Sequence, residues 1–88
     1  MEKSVIWNEL KSQRLKKVRG LSFEELVEKK FIAIEKHPTR KNQKVMLFYH
    51  KSYVWVAPFI ETENSRFLKT LYPSRKYTRI YKGKVSER

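Results

Sequence analysis

Two runs rich in aromatic and β-branched residues most constrain how this chain folds. They cover residues 44–50 and 53–60, and only Lys51 and Ser52 separate them. Residues of this kind favour strands, and a two-residue connection joins antiparallel neighbours. Pro58 has no backbone N–H group and therefore predicts an edge position or a bulge at the end of the second run. We expect these runs to form two adjacent antiparallel strands.

The N-terminal segment predicts a short strand followed by a helix. Residues 5–7 are apolar, and Asn8 is a suitable N-cap for a helix that runs to about Arg19. Gly20 then provides a left-handed C-cap. At about 100° per residue, one face of this segment is predicted to be apolar and to face the core. Its members are Trp7, Leu10, the stem of Arg14, Leu15 and Val18.

A capping box predicts a second helix directly afterwards. The Ser22 hydroxyl can accept from the amide of Glu25, while the carboxylate of Glu25 accepts from the amide of Ser22. Leu21 and Leu26 occupy the positions of a hydrophobic staple. The core face of this helix is predicted to be Phe23, Leu26 and Val27, and the helix is expected to fade near Lys30.

The remaining segments complete the expected domain. Residues 31–34 predict a strand or the entry to a loop, residues 36–43 a polar loop, and residues 66–72 a third strand that Pro73 and Ser74 end. Ser74 is then a candidate N-cap for a short basic helix. We expect one α+β domain over residues 1–88: two N-terminal helices packed on a small antiparallel β-meander, with a short basic C-terminal helix.

Charge is the feature that bears most on function. Twenty-one Lys and Arg against nine Asp and Glu leave a formal net charge of +12. A charge of this size attracts polyanions, so nucleic acid is the favoured partner. An acidic protein or an anionic membrane surface remains an alternative. Between Asn64 and Ser86 there is no acidic residue and there are seven basic ones: Arg66, Lys69, Arg75, Lys76, Arg79, Lys82 and Lys84.

Several classes of function are disfavoured by what the sequence lacks. There is no cysteine, which excludes a disulfide framework, a thiol nucleophile and cysteine-ligated zinc. The two histidines show no metal-ligand spacing with the glutamates, and there is no Gly-rich phosphate loop, so we expect no metal and no cofactor. No apolar run reaches the ~20 residues of a membrane span, and no signal peptide is evident. These features predict a cytoplasmic protein that has no membrane partner.

Three segments resemble the BrnT-type toxins, in the same order and at compatible spacing. Residues 6–11 (IWNELK) resemble the opening W-D-E-x-K of that family, and residues 20–25 (GLSFEE) resemble its G-V-S-F-E-E turn. Residues 73–78 (PSRKYT) resemble the S-A-R-R-A-T segment that follows its last strand. Asn8 stands where the family usually has Asp, and Lys76 stands where it usually has Arg. The aromatic hairpin is a further departure.

The resemblance implies a RelE-like fold, a metal-independent ribonuclease acting as a toxin that inhibits growth and translation, and a cognate antitoxin. It assigns the active site to Arg75 and Lys76, which we expect to share one cleft. His37 is a further candidate because histidine titrates near neutral pH. His50 is expected to be merely exposed. The predicted RNA-binding residues are Arg40, Lys69, Tyr72, Tyr77, Arg79 and Lys82.

RNA cleavage without a metal needs a base for the 2′-hydroxyl, positive charge on the phosphorane and an acid for the leaving oxygen. Two other kinds of function remain open. One is a non-catalytic RNA- or DNA-binding module that uses the same basic face. The other is an interaction protein whose charge docks an acidic partner.

Overall fold

A six-stranded sheet is the central element of the computed structural model, which describes residues 3–84. In chain order the elements are β1 (Ser4–Trp7), α1 (Glu9–Arg19), α2 (Phe23–Leu26), β2 (Lys30–Lys36), β3 (Lys44–His50), β4 (Tyr53–Glu61), β5 (Ser65–Leu68), β6 (Tyr72–Ser74) and α3 (Arg75–Tyr81). The strand order is β1-β5-β4-β3-β2, and β6 also pairs with β4. The β3–β4 hairpin lies where the sequence predicts it.

The sheet is antiparallel except for one pair. β1 lies parallel to β5, with Ser4 opposite Ser65 and Trp7 opposite Leu68. The sequence predicts an antiparallel meander, and the parallel pair departs from that prediction within a fold that is α+β as predicted. A parallel pair joins strands that are distant in sequence, and no local turn signal specifies such a pair.

Helices cover both faces of the sheet, because alternate residues of a strand point to opposite sides. On one face, Met46 and Phe48 belong to a buried cluster with residues of α1 and α2. On the other face, Val45 and Leu47 belong to a second buried cluster with Tyr77 of α3. The basic C-terminal helix therefore lies on the opposite face of the sheet from the two N-terminal helices.

Helix α1 has the predicted caps but a different buried face. The Asn8 side chain accepts from the Lys11 amide at 3.0 Å, and Gly20 ends the helix at φ 82°. The buried residues are Ser12 and Leu15, whereas Leu10 and Val18 are each 72% exposed. The predicted core positions of Leu10 and Val18 are therefore wrong, since at about 100° per residue both lie well away from Ser12.

Helix α2 begins as predicted and ends early. Both hydrogen bonds of the capping box between Ser22 and Glu25 are present. The helix stops at Leu26 rather than near Lys30, because Lys30 already pairs with Tyr49 of β3. Val27, expected in the core, is 36% exposed. Residues 31–34, for which the sequence allows either a strand or the entry to a loop, form part of strand β2.

Both strand prolines lie within strands rather than at their ends. One edge of β4 pairs with β6 at residues 54–56 and with β5 at residues 59–61. Pro58, which is buried, lies in the gap between these two partner strands. A residue at this gap does not need a backbone donor. The predicted third strand is accordingly divided into β5 and β6. Pro73 pairs with Trp55 inside β6 instead of breaking the strand.

Candidate nucleic-acid interface

A large cleft lies beside the β3–β4 turn. Its volume is about 580 Å³, and we call it the hairpin cleft. Three cationic side chains line it, together with two aromatic rings and a histidine. The full lining is Arg19, Gly20, Leu21, His50, Lys51, Tyr53, Trp55, Pro73 and Arg75. Cationic groups interleaved with aromatic rings are the arrangement that single-stranded nucleic acid favours.

Three elements that meet here position these side chains. Helix α1 ends at Gly20 and presents Arg19 from its last turn. The turn between β3 and β4 consists of Lys51 and Ser52, both in the left-handed region, with φ values of 51° and 68°. The third element is α3, whose first residue is Arg75.

Helix α3 is fixed to the sheet by hydroxyl groups. The Ser74 side chain accepts from the Tyr77 amide at 3.1 Å. The Thr78 hydroxyl accepts from the Val54 amide at 2.8 Å and donates to the carbonyl of Ser74 at 2.5 Å. These bonds connect the start of α3 to β4, and they hold the backbone that carries Arg75.

A second, smaller groove continues from the hairpin cleft along α3. It has a volume of about 250 Å³ and is lined by Tyr53, Arg75, Thr78, Arg79 and Lys82. We call it the helix groove. Tyr53 and Arg75 line both the groove and the hairpin cleft, so the two form one basic surface with Arg75 at the junction. Among the described residues that line this surface there is no Asp or Glu.

Another basic cleft lies near the opposite end of β3, and we call it the loop cleft. Its volume is about 310 Å³, and residues of the β2–β3 loop form one side of it. It brings together four predicted site residues: His37, Arg40, Lys69 and Tyr72. The other residues in its lining are Lys11, Gln43, Pro58 and Thr70.

His37 occupies a tight turn in the loop cleft. Its Nδ1 atom accepts from the Thr39 amide and from the Arg40 amide, each at 3.1 Å. An Nδ1 atom that accepts these bonds carries no proton, so the neutral ring is protonated on Nε2. At Nε2 the neutral ring is a hydrogen-bond donor and not a base.

The predicted catalytic residues are not brought together. Lys76 lines neither the hairpin cleft nor the helix groove, and its ammonium lies 5.7 Å from the centroid of the Tyr77 ring. The expected common cleft for Arg75 and Lys76 is therefore absent from these two sites, because adjacent helical residues point about 100° apart. His37 lies beyond the start of β3, and Arg75 lies near its end. The seven residues of β3 are separated by six steps of about 3.3 Å, so the two ends of this strand lie roughly 20 Å apart.

Tyr77 belongs to the core. It is 6% exposed and packs in the cluster between the sheet and α3. Burial raises its pKa above the ordinary value for tyrosine. A ring in this position cannot stack on a base unless the core opens, so Tyr77 is not part of the site proposed below. Tyr72 is only half-buried and lines the loop cleft.

Three residues of the hairpin cleft are not predicted from the sequence. The sequence predicts His50 to be merely exposed, but it is half-buried and its ring lies 6.2 Å from that of Trp55. Arg19 and Lys51 are not among the predicted site residues. The sequence does carry a signal for them, since Arg19 precedes the predicted C-cap and Lys51 lies in the predicted turn. The sequence does not indicate that the end of α1 and the β3–β4 turn lie next to each other.

Several carboxylates are engaged with partners outside the three basic clefts. Arg66 and Lys44 donate to Glu61 at 3.0 Å each and lower its pKa to about 2. Arg66 is thus engaged in an ion pair. Lys16 donates to Glu25 at 2.8 Å and, with the amide of Ser22, lowers its pKa to about 2.

Two further carboxylates bind hydroxyl groups. The Ser12 hydroxyl donates to Glu24 and lowers its pKa. The Tyr81 hydroxyl donates to Glu35, and this bond raises the pKa of Tyr81 to about 12. With these groups engaged elsewhere, the basic linings of the clefts are not neutralised locally.

Within residues 3–84, no three His, Asp or Glu side chains are close enough together to hold a metal ion. Nor does any helix in the same range have the length and apolar character that crossing a membrane requires.

These features describe a small, basic α+β protein, and its fold is similar to that of a ribonuclease toxin. One solved structure with this fold is the Brucella abortus ribonuclease toxin BrnT, determined at 1.1 Å resolution. It is 16% identical in sequence, the match covers 83% of this chain and 97% of that one, and the TM-score is 0.54. No family model and no curated protein sequence matches the chain. The likeness confirms the BrnT-like fold that the sequence resemblance implies.

Proposed function

We propose that the protein is an RNA endonuclease of the toxin type and that it cleaves RNA in the hairpin cleft. The observation that carries the proposal is the position of Arg75 at the junction of two basic grooves, in a fold shared with a ribonuclease toxin. Arg19 and Arg79 would bind flanking phosphates, because a guanidinium group forms paired hydrogen bonds with phosphate oxygens. Trp55 and Tyr53 would stack on unpaired bases.

The proposed reaction is transesterification within the RNA strand. The 2′-oxygen attacks the adjacent phosphorus and gives up its proton to His50. The bond from phosphorus to the 5′-oxygen breaks, and that oxygen takes a proton from Lys51. Arg75 stabilises the negative charge of the phosphorane. The products are a 2′,3′-cyclic phosphate and a 5′-hydroxyl, and each step uses protons and cationic side chains, so the proposed reaction is independent of a metal.

Arg75 and Lys76 provide a matched pair of variants for testing the active site. Arg75→Ala is expected to lower the rate of RNA cleavage about 100-fold or more, since it removes a donor to the phosphorane. Lys76→Ala removes the same charge from the neighbouring position and should leave the rate within a few-fold of the wild type. The measurement is cleavage of total RNA by purified protein in the presence of EDTA.

The controls separate chemistry from binding. Both Arg75 and Lys76 are exposed, so the Ala variants should fold, which circular dichroism checks. His50→Gln should slow cleavage about 100-fold without weakening the binding of RNA to the same extent. Equal losses in Arg75→Ala and Lys76→Ala would contradict the proposal. RNA binding without any cleavage by the wild-type protein would favour the non-catalytic binding module instead.

The toxin part of the proposal includes a protein partner. We propose that a cognate antitoxin neutralises the enzyme and that the enzyme acts on RNA in the cytoplasm, where it inhibits translation. Expression of the chain alone should then stop growth, and Arg75→Ala should relieve the arrest. Normal growth during strong expression of an active enzyme would contradict this part of the proposal and leave the cleavage chemistry intact.

A further inference from the structure

The loop cleft has the composition of a phosphate site. Lys11, Arg40 and Lys69 line it together with His37. Gln43, Thr70 and Tyr72 add neutral polar groups, and no Asp or Glu is among the described residues of the lining. Three cations and several neutral hydrogen-bonding groups around about 310 Å³ suit a dianionic or monoanionic phosphate group.

Backbone hydrogen bonds hold both sides of the loop cleft in place. On one side, the amide of His37 donates to the carbonyl of Gln43 at 3.0 Å, and the amide of Gln43 donates to the carbonyl of Arg40 at 3.4 Å. On the other side, the amide of Lys69 donates to the carbonyl of Pro58 at 2.8 Å. Arg40 and Lys69 therefore project from two fixed segments of backbone, and Lys11 projects from helix α1.

The turn at His37 also prepares this residue to donate. Because the amides of Thr39 and Arg40 both donate to Nδ1, the neutral ring has its proton on Nε2. A donor suits an anion, and a phosphate oxygen can only accept. The same arrangement argues against a role for His37 as a general base, so it favours binding over chemistry in this cleft.

We propose that the loop cleft binds a phosphate group of the RNA strand whose cleaved bond lies in the hairpin cleft. This inference rests on the proposed function. The far ends of the two clefts lie near opposite ends of β3, which spans roughly 20 Å, while Tyr72 of the loop cleft and Pro73 of the hairpin cleft are neighbours in β6. A stacked strand advances about 3.4 Å per nucleotide, so about six nucleotides or fewer bridge the two clefts. The substrate is accordingly single-stranded RNA long enough to occupy both clefts.

The test compares the binding of a short and a long RNA strand. The probes are fluorescent oligouridines of about four and about twelve nucleotides, within the range of single-strand site sizes, with 2′-O-methyl groups that block cleavage. In the double variant Arg40→Ala/Lys69→Ala, the affinity for the long strand should fall about tenfold. The slope of its affinity against salt concentration should decrease by about 0.7, the value for one lost phosphate contact on a single strand. The affinity of each protein for the short strand is the reference against which its affinity for the long strand is compared.

A matched control removes the same charge elsewhere. Lys17→Ala/Lys76→Ala changes two exposed cations, and neither lines the loop cleft, the hairpin cleft or the helix groove. This control should keep the preference for the long strand. An equal loss in the control, or no preference for the long strand in the wild type, would overturn the inference.

A further arm distinguishes an RNA phosphate from free phosphate. Inorganic phosphate is titrated while the NMR signals of the His37 ring are followed. If the signals shift but Arg40→Ala/Lys69→Ala binds long RNA normally, the cleft takes free phosphate and the proposal fails. The proposed function can fail separately from this inference. The wild-type protein would then prefer the long strand without cleaving RNA, and only Arg40→Ala/Lys69→Ala would lose that preference. This result would support phosphate binding in the loop cleft and contradict the proposed ribonuclease activity.

Discussion

At the scale of single residues, Ser12 does the most to join the two N-terminal helices. It is fully buried on α1. Its hydroxyl accepts from the Phe23 amide at 2.9 Å and donates to the carboxylate of Glu24 at 2.7 Å. The Phe23 amide is in the first turn of α2, where no helical carbonyl is available as a partner. One hydroxyl thus satisfies a buried donor and fixes the start of the second helix.

Removing this hydroxyl should destabilise the protein measurably. We expect Ser12→Ala to lower the free energy of unfolding by about 1–3 kcal/mol, because it leaves the buried Phe23 amide without an acceptor. Ser4→Ala, at an exposed position of β1, should have an effect within about 0.5 kcal/mol. Urea denaturation followed by circular dichroism measures both. A stability change as small as that of Ser4→Ala would show that the contact between Ser12 and Phe23 contributes nothing.

At the scale of elements, the β3–β4 turn combines good geometry with poorly suited residues. Positive φ values at both central positions match the right-handed twist of the flanking strands, and such turns favour Asn and Gly. Lys51 and Ser52 occupy these positions instead. The conformation is therefore strained at a place where the chain also presents Lys51 to the hairpin cleft.

Relieving this strain at Ser52 should stabilise the hairpin. Ser52→Gly is expected to raise the free energy of unfolding by about 1 kcal/mol, since glycine adopts φ 68° without a steric penalty. Ser52→Val, which adds a β-branched side chain at the same φ, should lower it. Thermal unfolding checks the order Gly, Ser, Val. Any other order would mean that the turn has a different conformation in solution.

The local elements were predictable, and their mutual arrangement was not. The β3–β4 hairpin, the Asn8 cap and the Ser22 capping box follow from signals within a few residues, and all three are present. The parallel pairing of β1 with β5 and the change of partner beside Pro58 depend on contacts between distant segments. Leu10 looks like a core residue in the helical pattern, but the buried side of α1 is the one that carries Ser12 and Leu15.

The same limit applies to the candidate site. Predicted residues separate onto two basic surfaces. Arg75, Arg79 and Lys82 lie on the surface formed by the hairpin cleft and the helix groove, and His37, Arg40, Lys69 and Tyr72 line the loop cleft. A basic stretch in the sequence indicates what kind of ligand is attracted. Which side chains share a cleft is decided by the tertiary structure. Lys76 and Tyr77 follow Arg75 in the sequence but line neither the hairpin cleft nor the helix groove with it, whereas His50 does line the hairpin cleft.

At the scale of the whole molecule, a net charge of +12 makes each paired carboxylate important. Glu61 is the clearest case, because it lies within 4 Å of three cations on separate segments: Lys3, Lys44 and Arg66. These contacts connect the segment before β1 with β3 and β5. Protonating such a group removes an attraction and raises a positive charge that already favours expansion of the chain.

The fold should accordingly lose stability in acid. The folded-state pKa of Glu61 is about 2, below its ordinary value of 4.5, so its stabilising effect is complete above pH 4.5 and declines as the pH falls toward 2. Glu61→Gln should therefore be less stable than the wild type near pH 7 and nearly as stable near pH 2. Solvent screening limits the size of the difference, and added salt should reduce it further. The control is Glu63→Gln, which removes the same charge from an exposed position in the next turn. A difference between Glu61→Gln and the wild type that persists unchanged down to pH 2 would rule out the carboxylate as its source, because at that pH much of the wild-type Glu61 is itself protonated.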